Sequence, residues 1–135
     1  MMENLAGSCL CGDVSYEIKN DFKQFHFCHC AQCQKISGSA HVANLFAKPD
    51  AITWKTGEDK VKRYDVPGRL LSKAFCETCG CAVPFLSGSG KFLIVPAGSL
   101  DGKPNIDPQD NIFWHERASW YEAGVDSKRF DGFPK

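Results

Sequence analysis

The segment 28-CHCAQCQKISGS-39 sets three cysteines, Cys28, Cys30 and Cys33, in a C-x-C-x2-C spacing. A disulfide takes two cysteines and a structural zinc ion takes four ligands, so three is an incomplete set for either. The chain also carries 9-CLC-11 and 76-CETCGC-81, which supply Cys9, Cys11, Cys76, Cys79 and Cys81. How these eight cysteines sort among themselves decides what the chain can fold around.

Compartment decides whether they read as disulfides or as metal ligands. The N-terminal stretch MMENLAGS has neither a basic nor an apolar signal region, so it does not read as a secretory leader. No apolar run approaches the ~20 residues of a membrane-spanning helix. The expected compartment is the cytoplasm, where thiols stay reduced and C-x-C and C-x-x-C pairs point to metal. Length fits one domain over residues 1–135, and 10 Phe with 3 Trp supply core material. Sixteen basic and 16 acidic residues balance. Metal-bound thiolates would leave the protein mildly acidic, which argues against a nucleic-acid partner.

Short β-like runs dominate the pattern. In 14-VSYEI-18, Val14, Tyr16 and Ile18 alternate with polar residues, and 25-FHF-27 places two Phe on one face. Further runs are 41-HVANLF-46, 51-AITW-54, 61-VKRYDV-66, 70-LLSKAF-75 and 91-KFLIVPAG-98. Turn signals such as Val66-Pro67-Gly68 and Ser87-Gly88-Ser89-Gly90 separate them. The expectation is an all-β domain of antiparallel sheets, with one short helical turn at 31-AQCQKI-36. The tail 112-IFWHERASWYEAG-124 reads as a strand followed by a loop, and 130-FDGFPK-135 as less ordered.

On an extended C-x-C both sulfurs leave the same face, and a C-x-x-C wraps a tight turn. Gly80 beside it permits a positive φ. Cys9 and Cys11 with Cys76 and Cys79 therefore make a natural four-sulfur zinc site. Cys28, Cys30 and Cys33 remain, with Cys81 spare. Either they form a three-ligand site with an open position, the arrangement of a catalytic zinc, or Cys81 or His29 closes it. On an extended segment the His29 ring should point away from its neighbours' metal.

The order 7-GSCLCGDVSYEI-18, 28-CHCAQCQKISGS-39, 75-FCETCGCAVPF-85, then 96-PAGSLDG-102 and 112-IFWHERASW-120, resembles the glutathione-dependent formaldehyde-activating (Gfa-like, CENP-V/GFA) family. The resemblance implies an Mss4-like β-tent of coiled antiparallel sheets with two zinc ions per chain. By position, Cys9, Cys11, Cys76 and Cys79 match the structural zinc ligands of that family. Cys28, Cys30 and Cys33 match the ligands of its second, active-site zinc. The implied activity is a carbon–sulfur lyase that joins formaldehyde to glutathione as S-(hydroxymethyl)glutathione. Cys81 departs from the family pattern and is a candidate fourth ligand of the second site.

Such chemistry needs a thiolate, which an open Zn2+ favours by Lewis acidity. Candidate catalytic residues are accordingly Cys28, Cys30 and Cys33. Glutathione carries carboxylates, for which Lys35, Arg63, Arg69, Lys73 and Arg117 are the candidate cations. His26, His41 and His115 are possible proton carriers, and Trp114, Trp120 and Tyr121 read as core. The competing function is a zinc-stabilised binding module with both metals structural. A third is a sulfoxide reductase of the same fold, which would need Cys81 as a free nucleophile.

Overall fold

The computed structural model describes residues 3–134. Its elements follow in the order β1 (Asn4–Ser8), β2 (Ser15–Lys19), β3 (Gln24–Cys28), α1 (Ala31–Ser37), β4 (Val42–Ala47) and β5 (Ile52–Thr56). After these come β6 (Val61–Asp65), β7 (Ser72–Cys76), β8 (Phe85–Leu86), β9 (Leu93–Pro96), β10 (Asp110–Ile112) and α2 (Tyr121–Val125). The strands form a sheet β1-β2-β5, a sheet β10-β3-β4-β9-β8 and a hairpin β6-β7. The chain is mostly β with few helices, as the alternating pattern predicts.

Period-2 alternation builds the main core. On β2, Tyr16 and Ile18 are buried while Ser15 and Glu17 are not, so one face of the first sheet is apolar. That face meets Leu45 and Ala47 of β4, Leu93 and Val95 of β9, and Phe22 and Phe25. Each Val, Leu, Ile or Phe side chain among them stabilises by roughly 1.5–3 kcal/mol on burial. The Tyr16 hydroxyl donates to Ser99 Oγ at 2.6 Å, and Ser99 donates to the Pro96 carbonyl at 2.7 Å. Burial pushes the Tyr16 phenol up to about 12, opposed by its hydrogen bond with Ser99.

Gly7 of β1 pairs directly with Tyr16. A Cβ there would stand 2.6 Å from Tyr16 Cε2 and overlap the ring tip. Gly7→Ala should therefore displace a buried ring and cost about 1–3 kcal/mol, read as a lower urea midpoint. An unchanged midpoint would show that the ring moves freely, contrary to its burial.

Four features differ from the sequence reading. Strands β1 and β8 carry too few alternating apolar residues to have stood out. The C-x-C at Cys9 and Cys11 is a turn after β1, closed by Cys9 N–H on the Val14 carbonyl at 3.0 Å with Gly12 at φ 83. Strand β10 pairs with β3 in parallel, Ile112 opposite Cys28, so the sheets are not all antiparallel. That late strand also covers the free edge of β3. Residues 121–124, at the end of the stretch expected as strand and loop, belong to helix α2, while 130–134 carry no helix or strand.

Candidate metal centres and the adjoining cavity

Two hairpin turns present the first four sulfurs. One joins β1 to β2 and carries Cys9 and Cys11; the other leaves β7 at Cys76 and carries Cys79. The second turn closes through Gly80 N–H on the Cys76 carbonyl at 2.7 Å, with Gly80 at φ 74 as the glycine predicts. Asp13 braces the two turns, because its Oδ2 accepts from Thr78 Oγ1 at 3.0 Å and Lys60 Nζ at 3.2 Å. Those two partners hold its carboxyl below the usual range. Asp13 was not singled out from sequence; its place directly after Cys11-Gly12 is the one signal that points to it.

The sulfur atoms of Cys9, Cys11, Cys76 and Cys79 lie within 4.8 Å of one another. Cys9 Sγ stands 3.6 Å from Cys11 Sγ, and Cys11 Sγ 3.8 Å from Cys76 Sγ. A disulfide requires about 2.05 Å, and all eight cysteines are free. A tetrahedron of ~2.3 Å zinc–sulfur bonds has edges of roughly 3.8 Å, so the spacing fits a dication at the centre. Backbone N–H groups already point at the sulfurs, Val14 to Cys9 at 3.3 Å and Thr78 to Cys76 at 3.4 Å. The thiols also interfere with one another. Cys79 is drawn down to about 6 by the backbone N–H of Cys11 and then of Cys81. Cys11 is pushed up to about 12, because desolvation and the neighbouring thiols outweigh the N–H of Asp13. A bound dication would relieve that competition by favouring all four thiolates together.

The second cluster sits where β3 runs into α1. Cys28 ends the strand, Cys30 is the N-cap of the helix and Cys33 lies in its first turn. Cys30 adopts the extended conformation of a cap, and its sulfur accepts from Cys33 N–H at 3.3 Å. Gly38, left-handed at φ 64, ends the helix by donating to the Gln34 carbonyl. The three sulfurs lie within 4.8 Å of one another. Burial pushes Cys33 and Cys28 up. Burial also acts on Cys30, but the Cys33 N–H and the adjoining thiols bring it down on balance.

The structure does not bring Cys81 to this cluster. Gly80 reverses the chain after Cys79, the Cys81 carbonyl accepts from Cys76 N–H at 3.0 Å, and Ala82 bridges to Phe75. Cys81 therefore packs beside Cys79 and Cys9 in the surround of the first cluster. His29 does not close the second site either. Its ring is fully buried, donates from Nε2 to Asn111 Oδ1 at 2.8 Å, and is boxed by His41, Trp114 and Tyr121 at 4.8–5.0 Å. Among the described residues, three sulfurs make up this cluster. Trp114 and Trp120, read as core, are instead exposed, at 37% and 57%.

A cavity of about 150 Å³ opens against Cys33. Helix α1 supplies Cys33 and Ile36, β4 supplies Val42 and Asn44, and Leu71 and Phe85 line it as well. Lys73 also lines it, with its ammonium donating to the Ile36 carbonyl at 2.8 Å. Of the other candidate cations, Arg63 binds Asp65 and the Leu86 carbonyl, and Arg117 binds Glu122 and stacks 4.5 Å from Trp114. Neither these two nor Arg69 and Lys35 line the cavity. Of the three candidate proton carriers, His41 lines it, whereas His26 is engaged by Asp110 and Gln24 and His115 is exposed. Burial lowers the His41 pKa, opposed by its hydrogen bond to the Val42 carbonyl.

Fold and site together define a β domain with two cysteine clusters able to hold metal, one of them bordering a cavity. The family model for the glutathione-dependent formaldehyde-activating enzyme matches residues 4–116, and the chain belongs to that family. Among solved structures, a Rhodobacter sphaeroides protein superposes with a TM-score of 0.58 at 23% identity, over 79% of this chain and 99% of that one. At that identity the likeness concerns the fold. Comparison with curated proteins gives no match.

Proposed function

We propose that the protein is a zinc-dependent carbon–sulfur lyase that joins formaldehyde, or a related aldehyde, to glutathione or another small thiol. The observation that carries this reading is the three-sulfur cluster with Cys33 on a cavity wall. Four sulfurs satisfy a structural zinc, and three leave one position for exchange. Family membership supports two zinc ions and the Mss4-like arrangement of the sheets. Eight free thiols suit a cytoplasmic setting.

In the reaction the thiol sulfur bonds to the carbonyl carbon, the carbon–oxygen π pair moves to oxygen, and the thiol proton ends there as hydroxyl. Bound at the second cluster, Zn2+ would supply Lewis acidity and a charge that favours the thiolate form. The chain supplies the placement. The helix cap fixes Cys30, and the buried first turn fixes Cys33. Gln34 ties the segment down by donating to the carbonyls of His29 and Glu116 at 2.9 and 3.0 Å. Lys73 is the candidate cation that lines the cavity, its ammonium held by the Ile36 carbonyl.

Exchange spectroscopy on mixtures of formaldehyde and glutathione measures adduct formation against the uncatalysed rate. The expected result is acceleration by the metallated protein, reduced on the order of 100-fold in Cys30→Ser, with one metal equivalent lost per chain. Retention of both full zinc content and full rate in that variant would sink the proposal and favour a binding module.

A further inference from the structure

The cavity is far larger than formaldehyde needs. A hydroxymethyl group has two heavy atoms, whereas an apolar cavity of roughly 150 Å³ takes a benzene-sized guest of about six carbons. Its walls suit such a guest. In the β4–β9 pairing, Asn44 stands opposite Pro96 while the neighbouring pair Leu45 and Val95 faces the main core. Val42 is two residues from Asn44, so it shares the outer face of the sheet. That face, Ile36 of α1, Leu71 and Phe85 enclose the space.

Three polar groups on the lining already have partners, while the Asn44 amide, also on it, makes no side-chain hydrogen bond among the described residues. Lys73 Nζ is held by the Ile36 carbonyl, Ser72 Oγ by Asp65 and Arg63, and His41 Nδ1 by the Val42 carbonyl. A polar guest that bonds to those three would have to displace these bonds, whereas an apolar one would leave them intact. Cys33 on the wall puts the space beside the sulfur cluster.

We propose that this cavity is a specificity pocket for the apolar substituent of the carbonyl compound. The substrate class is then aldehydes whose substituent carries about four to six carbons, aliphatic or aromatic, and not formaldehyde alone. The proposal rests on the lyase reading and deepens it. The product is a hemithioacetal, in which the same sulfur–carbon bond forms and the thiol proton passes to the former carbonyl oxygen. No oxidant or reductant enters.

The test separates pocket from reaction. First, hexan-1-ol, which cannot react, is titrated into metallated protein bearing labelled methyl groups. Saturable shifts at Ile36, Val42 and Leu71, absent in a folded Val42→Phe variant, support the pocket. No saturable shift at these methyls overturns it, whatever the activity. Second, kcat/KM is measured with glutathione and the straight-chain aldehydes from one to eight carbons. The expected rise is about three- to fourfold per methylene up to about six carbons, the ratio that corresponds to ~0.8 kcal/mol per buried CH2. Val42→Phe should reduce the hexanal-to-formaldehyde ratio at least tenfold. Rates independent of chain length overturn the pocket while leaving the lyase reading standing. Saturable hexanol binding with no turnover of any aldehyde removes the lyase reading and leaves an apolar binding site.

Discussion

A Cys76→Ser variant should fail to fold as a cooperative domain at neutral pH. Cys76 is fully buried, ends β7, and its sulfur lies 3.8 Å from that of Cys11. The four sulfurs come from turns 65 residues apart in sequence, so an ion bound there would take the place of apolar contacts in joining the two hairpins. The second apolar cluster is small, with Val14, Ala74 and Val83 packed around Cys9 and Cys76. Structural zinc contributes apparent binding energies of about 10–16 kcal/mol, against a typical net stability of about 5–15 kcal/mol. Losing one of four ligands therefore removes most of the margin. The measurement is metal content together with thermal unfolding followed by circular dichroism, and chelation of the native protein should reproduce the variant. Cys81→Ser is the control: Cys81 packs beside the cluster without joining it, so that variant should keep both metal equivalents and a sharp transition. A folded Cys76→Ser protein with undiminished metal would show that the hairpins hold together without the ion.

The same turns show where the sequence was informative and where it was not. Spacing alone grouped Cys9 and Cys11 with Cys76 and Cys79, because two close pairs in reduced surroundings have few other uses. Strands with strict alternation, such as the one holding Tyr16 and Ile18, were legible for the same local reason. What could not be read is what depends on chain reversal. Cys81 is two residues from Cys79, so spacing leaves its destination open. The backbone at Gly80 turns it toward the first cluster rather than the second. Strand β10 was blurred because its partner, β3, lies some 84 residues earlier, and no local pattern records a parallel pairing at that distance. The cavity was invisible for a related reason. Ile36, Val42, Leu71 and Phe85 are unremarkable apolar residues on separate elements, and it is only the outer face of β4 meeting α1 and β8 that makes them walls.

Gly57→Ala should be among the most damaging single-methyl changes in the chain, although Gly57 belongs to no metal cluster. Gly57 sits between β5 and β6 at φ 74, a conformation that costs an L-residue roughly 1–2 kcal/mol. Conformation is the smaller part of the effect. A Cβ at this position would overlap the Asp13 carbonyl oxygen and stand 2.8 Å from its carbonyl carbon and 3.1 Å from Val14 Cα. These are backbone atoms, so no rotamer change relieves the clash. The Asp13 carbonyl also accepts from Thr56 Oγ1 at 3.1 Å, and the Asp13 carboxylate ties the two cysteine turns through Thr78 and Lys60. Displacing Asp13 thus loosens the turn that carries Cys9 and Cys11. The expected cost is about 3–5 kcal/mol, with weakened metal retention at the first cluster. Gly68→Ala isolates the steric part, since Gly68 has nearly the same φ of 75 and nothing within 4 Å of its added Cβ. That variant should lose about 1 kcal/mol. Chemical denaturation of the two metallated variants, with a competing chelator to measure metal release, compares them directly. Equal midpoints would mean that the Asp13 backbone yields at little cost, and that the bracing between the two turns resides in the sulfurs alone.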